Sequence, residues 1–214
     1  MDEEITIIDS NARNERIKNF FINNKKKLII TVSIILVIII GFLSFEKSKE
    51  RTKIKLANQY NLALIDLSPD NKQKTINEMI NVVKSNDATY SPLALYHLLD
   101  NNLLENNEEI NILFNELIEK TNLENEIKNL IIYKKALFNS DCVSENELLK
   151  ILNPVINSES IWKSHALYLL AEFFYSKDEK QKAKEFFNQI LVLPNSSNTI
   201  KAETQKRLNR DLGE

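Results

Sequence analysis

Glycine, cysteine, histidine and proline are all scarce: the 214-residue chain has two glycines, one cysteine, two histidines and four prolines. Each shortage excludes something. A Rossmann unit or a P-loop needs glycine at a tight turn or beneath a phosphate, and a β-sandwich needs it in its turns. Here Gly41 lies inside an apolar run and Gly213 is penultimate, so nucleotide and dinucleotide sites of those kinds are excluded. The lone Cys142 cannot close an internal disulfide, and its expected place is a small, buried or half-buried side chain. His97 and His165 belong to no H-E-x-x-H or Cys/His cluster. A helix-interior histidine with a local hydrogen bond is the expected role of each, and no metal site, cofactor site or catalytic residue is predicted. Charge of one sign is lacking too: the formal net charge is -2, and the absence of a basic patch argues against nucleic acid.

What is present is an uncharged stretch of 18 residues, Leu28 to Phe45. Its length meets the requirement of about 17–25 residues for a helix crossing the hydrocarbon core. A cleaved signal peptide has a shorter apolar region followed by a small-residue site, and no A-x-A-like site follows here. The expected organisation is a short tail with an amphipathic lead-in (1–27; Ile17, Phe20 and Phe21 on one side), a transmembrane helix (28–45) and a helical domain (46–214). Residues 1–9 read as loose. Lysines and arginines number six before the run and five in the ten residues that follow it, a weak bias. The Lys25-Lys26-Lys27 cluster and the short tail favour a cytoplasmic N-terminus.

Beyond the run the apolar spacing is helical almost throughout. Ile54 to Leu64 begins a first helix that Asp66-Leu67-Ser68-Pro69-Asp70 stops. Ile76, Met79, Ile80 and Val83 line the second. Ser91-Pro92 opens a third, with Ser91 as cap and Leu93, Ala94, Tyr96, His97 and Leu98 inward. Ile110, Leu113, Phe114, Leu117 and Ile118 line its partner. A third pair uses Ile127, Leu130, Ile131, Lys134 and Leu137, then Leu148, Leu149, Ile151 and Leu152, with Pro154 halting it. The fourth runs Trp162–Tyr175 and Gln181–Val192, with small Ala171 and Ala183 between the helices and Phe174 and Phe187 as fillers. A last helix near Ile200–Leu212 caps the stack, its Lys206, Arg207, Asn209 and Arg210 facing water. Four pairs recur with a period near 35 residues, and Ala94, Ile131 and Ala166 hold equivalent positions. That is the signature of a tetratricopeptide (TPR)-like, right-handed α-solenoid of about four helix pairs plus a capping helix.

First helices of such a stack line a concave surface suited to an extended peptide or partner helix, and tyrosines there are natural anchors. Tyr96, Tyr133 and Tyr168 are the candidate groove residues. The asparagines near helix ends read as caps.

Three features then carry a resemblance. They are the lead-in Arg16-Ile17-Lys18-Asn19-Phe20-Phe21 with Asn24-Lys25 before the run, the helix start Tyr90-Ser91-Pro92-Leu93-Ala94, and the order of anchor, repeats and terminal helix. In these the chain resembles the YfgM-type ancillary subunit of the bacterial SecYEG translocon. It departs from that family in having less alanine and no glycine in its repeat turns, where Asp178 stands instead. The resemblance implies an inner-membrane protein with a periplasmic repeat domain. It implies contact with translocon subunits and a membrane-anchored periplasmic chaperone, and a part in handing over extended secretory polypeptides as an adaptor or holding chaperone. A scaffold in envelope assembly or division, and a degenerate membrane-bound hydrolase, are the alternatives.

Overall fold

The structure is a computed structural model and describes residues 15–16, 18–68 and 70–213, among which all regular structure is helical. After a helical stretch at 18–23 come α1 (Lys25–Ile65), α2 (Lys72–Val83), α3 (Tyr90–Asp100), α4 (Asn107–Lys120), α5 (Asn125–Asn139), α6 (Glu145–Ile156), α7 (Lys163–Ser176), α8 (Lys180–Val192) and α9 (Asn198–Asp211). The acidic tail at residues 1–9, Ile17 and Pro69 lie outside the described residues. Two compact units divide the chain, Met1–Lys55 and Leu56–Glu214.

Helix α1 is long and apolar enough to cross a membrane, and its apolar window is entirely unburied by protein. Backbone polar groups satisfied within one helix are what a hydrocarbon environment demands. The one threonine of the run is satisfied locally as well, its Oγ1 donating to the Lys27 carbonyl at 2.9 Å. Phe20 and Phe21 of the lead-in are exposed and meet edge to face. No break separates the apolar run from the first repeat helix: α1 is one helix of 41 residues, because nothing between Phe45 and Ile54 is glycine or proline.

The second unit is a TPR-like solenoid. Consecutive helices pack most closely at α2–α3, α5–α6, α7–α8 and α8–α9, and next-but-one contacts at α2–α4, α5–α7 and α7–α9 carry the stack forward, with α9 closing it. Ala94, Ile131 and Ala166 are each fully buried, as are Ala171, Ala183 and Phe187. The core has two parts that meet at α5: Ile131 belongs to the cluster running from Ala63, and its neighbour Ile132 to the one ending at Leu212.

Helix ends show how a chain nearly without glycine turns. Asn102 and Asp178 hold φ of 50° and 61°, the left-handed conformation that glycine usually supplies and that Asn and Asp tolerate best among other residues. Each closes a Schellman motif. After α3, Leu103 N–H donates to the Leu98 carbonyl and Asn102 N–H to Leu99; after α7, Glu179 N–H donates to Phe174 and Asp178 N–H to Tyr175. Helix starts are capped by Asn106, Ser144 and Ser197, whose side chains accept from backbone N–H groups of the first turn.

Several sequence expectations need correction. Ser91 is not the cap of α3. The Asp87 carboxylate accepts from Thr89 and Tyr90 N–H, while buried Ser91 donates to the Val82 carbonyl and ties α3 to α2. Leu93 is 42% exposed and Leu95 takes the core position. On α5 the buried stripe is Ile131, Ile132, Ala136 and Asn139, a rotation of about one residue that leaves Ile127 and Leu137 outside. Pro154 lies within α6 rather than ending it; Lys150, whose carbonyl loses the usual donor, is exposed and open to water. Cys142 is exposed, being at the turn between α5 and α6. Arg207 does not face water: its side chain is 12% exposed and paired with Glu172.

Candidate functional site

Along the first helices α3, α5 and α7 a part-exposed face, whose aromatic residues pack against the rim of the core, follows the i, i+3, i+4 spacing that puts residues on one side of a helix. On α3 it comprises Leu93, Tyr96 and His97, on α5 Ile127, Leu130, Tyr133, Lys134 and Leu137, and at the start of α7 Trp162, His165 and Tyr168. Contacts between helices join them. Lys134 Nζ lies 4.1 Å from the centroid of the Tyr96 ring, a cation–π approach from α5 to α3. Tyr133 stacks on Trp162 (centroids 6.0 Å apart, planes 20° apart) and meets His165 edge-on at 5.9 Å. His165 and Trp162 are themselves 5.1 Å apart. Three rings from two successive repeats thus form one aromatic cluster.

Each candidate tyrosine is half-buried. Burial pushes the Tyr96 hydroxyl up to about 12, with Asp100 adding to the shift, and its oxygen is buried without a hydrogen-bond partner. Burial alone raises Tyr133. Tyr168 is pushed up to about 12 by burial and by Glu172, and its ring leans edge-on against Phe187 of α8 at 5.4 Å. Among the described residues no ring contact joins the three tyrosines to one another: Tyr133 is in the aromatic cluster, Tyr96 pairs with Lys134, and Tyr168 is turned towards the core. His97 accepts or donates locally at Asn101 (3.2 Å), and burial lowers its pKa against the opposing pull of Asp100.

Sequence reasoning missed the most exposed members of this face. Leu93, Ile127 and Leu137 are 42%, 40% and 49% exposed; large aliphatics on a solvent side need an explanation when they cluster. The available signal was the conflict on α5, where Ile127, Leu137 and the pair Ile131-Ile132 cannot all face one core.

A concavity lies between α4 and α6, an open groove of about 710 Å³ whose floor is the end of α5. Asn111 and Asn139 exchange two hydrogen bonds across it, at 2.9 and 2.8 Å, and Lys135 donates to Asn115 at 2.6 Å. Burial lowers the Lys135 pKa. Asn139 is buried, so the pair is an inter-repeat clasp.

No protein-family model, curated protein or solved structure matches the chain. Its architecture stands on its own geometry: a TPR-like α-solenoid behind one helix of membrane-spanning length, a scaffold suited to protein–protein interaction.

Proposed function

We infer that this chain is a membrane-anchored adaptor or holding chaperone, without catalytic activity, that offers the first-helix face of its repeats to other proteins. The observation that carries this reading is the exposure of Leu93, Ile127 and Leu137 beside Tyr96, Tyr133 and Trp162 on successive first helices. Aliphatic side chains framed by half-buried aromatics are the composition of a protein-binding patch. Extended, apolar polypeptide segments are the matching clients. In the fuller form the resemblance suggests, the anchor lies in a bacterial inner membrane with the N-terminus cytoplasmic, the repeats are periplasmic, and the partners are translocon subunits, a membrane-anchored chaperone and emerging secretory proteins.

Three measurements test it. A photocrosslinker at Leu93 or Leu137 in the full chain should capture partners that one at exposed Asn188 on α8 does not; equal capture at both removes the face from the reading. Pull-down from mild-detergent membranes should recover translocon subunits, whereas recovery of division or cell-wall proteins alone would replace the secretory role with a scaffold. Protease added to spheroplasts should cut the repeat domain; full protection reverses the orientation.

A further inference from the structure

The ten residues after the apolar run, Glu46 to Lys55, carry five basic and two acidic side chains and continue α1 without interruption. All ten are exposed, and among the described residues none of Lys47, Lys49, Arg51, Lys53 and Lys55 forms an ion pair. Helical spacing sorts them. Lys47, Arg51 and Lys55 recur every four residues and form one stripe; Lys49 and Lys53 lie behind it. Glu46 stands one turn from Lys49, and Glu50 one turn from Lys47 and Lys53. Arg51 and Lys55 have no acidic residue three or four positions away in either direction.

A rise of about 1.5 Å per residue puts Lys47 about 3 Å, Arg51 about 9 Å and Lys55 about 15 Å beyond Phe45. The headgroup layer is about 5–8 Å thick on each side of the hydrocarbon, so Lys47 lies inside it and Arg51 at its edge. Long side chains extend the reach by folding back towards the interface. One in this segment does so: Lys49 Nζ sits 4.8 Å from the centroid of the Phe45 ring, at the last apolar residue of the run. Unpaired cations held at headgroup depth call for an anionic partner that lies in the plane of the membrane.

We propose that Lys47, Lys49 and Arg51, with Lys53 and Lys55 adding attraction from the water side, form a binding site for anionic phospholipid headgroups at the C-terminal end of the membrane span. The guanidinium and ammonium groups take the lipid phosphates, and the apolar run below them takes the acyl chains. The helix thereby gathers anionic lipid around itself and fixes its own depth in the bilayer.

The test uses the full chain in phosphatidylcholine vesicles with trace spin-labelled phosphatidylglycerol or spin-labelled phosphatidylcholine, the fraction of motionally restricted label giving relative association. Both leaflets have the same composition, so orientation does not enter. At low salt the chain should prefer phosphatidylglycerol by about threefold or more, given the attraction of each basic residue for an anionic surface. In about 1 M salt, where the screening length falls to about 3 Å, the preference should approach unity. The variant K47Q/K49Q/R51Q/K53Q/K55Q, with bilayer insertion checked by carbonate extraction, should lose at least half of the preference. The variant with the four lysines changed to arginine should retain it, and K25Q/K26Q/K27Q should retain most of it. No preference in the parent chain overturns the proposal. So does an unchanged preference in the quintuple glutamine variant, or a loss as large in K25Q/K26Q/K27Q.

Discussion

Replacing Arg207 with alanine should loosen the end of the solenoid, and the size of the effect follows from three contacts. Its Nε and Nη2 donate to the two oxygens of Glu172 at 2.7 and 2.6 Å, the two-pronged pairing that makes arginine–carboxylate contacts strong. Its remaining nitrogen pairs with Asp211 one turn on, and the guanidinium lies 4.5 Å from the centroid of the Tyr175 ring. Breaking a fully buried ion pair costs about 3–5 kcal/mol, and an exposed pair contributes about 0.2–1 kcal/mol. Arg207 is 12% exposed but Glu172 is 34% exposed, so water would resolvate much of the stranded carboxylate and a loss of about 2 kcal/mol is expected. With a urea m-value near 2 kcal/mol/M for a domain of this size, the midpoint should fall by about 1 M. A solenoid is held by neighbour contacts only, so the loss should be local: amide exchange should quicken through Asn198–Asp211 and stay unchanged in α3. The control Lys206→Ala, at an exposed pair, should move stability by no more than about 0.5 kcal/mol. An Arg207→Ala protein that unfolds at the parent's midpoint, or whose α3 and α9 amides quicken together, would refute the reasoning.

Asp178→Gly should stabilise the chain by about 0.5–1 kcal/mol, because it relieves the Cβ strain at positive φ and costs only the extra freedom of glycine in the unfolded chain; a lower urea midpoint would count against the Schellman reading. Asn139→Ala should cost about 1–2 kcal/mol by stranding its partner Asn111, and a double-mutant cycle of Asn111→Ala with Asn139→Ala should give clear coupling; additive losses would mean that the clasp does not bind the repeats together. Burial lowers the pKa of His97, so the unfolded chain takes up a proton first as pH falls. Stability should therefore drop below the unfolded value of about 6.5 and level off beneath the folded one, and His97→Asn should flatten denaturation midpoints across that range. Arg210 and Arg207 hold the Asp211 carboxyl below the ordinary range; its contribution is intact at neutral pH and should vanish only as pH falls through that lowered value, a loss absent from Asp211→Asn.

Periodicity made the fold legible and failed where two periods competed. Helices α7 and α8 were readable because Ala171, Ala183, Phe174 and Phe187 leave one arrangement that fits. On α5 the sequence offers two apolar stripes about one residue apart, and which is buried depends on α6 and α4, which a local pattern does not contain. Leu93 and Leu95 pose the same choice on α3. Caps were partly legible. Serine before proline is a good start signal, yet Asp87, three residues before the helix, supplies the cap because its carboxylate reaches two N–H groups while Ser91 is drawn to Val82. Arg207 looked like a solvent-facing residue of a polar helix; its burial depends on Glu172, 35 residues away, one repeat earlier. The tyrosines were findable by that same spacing, whereas the partner of each ring, Lys134, Trp162 or Phe187, came only from the packing.

The first-helix face and the anchor account for each other energetically. Covering what remains exposed of Leu93, Ile127 and Leu137 would yield about 1 kcal/mol apiece at the usual value for apolar surface, and ordering a flexible client would cancel part of it. A total of about 3 kcal/mol is weaker than a millimolar affinity, too little for a receptor that must find clients by free diffusion. Confinement to a surface where clients emerge changes the requirement, since tethering gives effective concentrations in the millimolar range. Weak contacts then suffice, release is fast, and no deep specific pocket is needed. Enlarging the patch, for example by Lys134→Leu, should strengthen capture while slowing release. If instead Lys134→Leu leaves client residence at the membrane unchanged while Leu93→Ser/Leu137→Ser also has no effect, the face is ordinary surface and binding lies elsewhere on the solenoid.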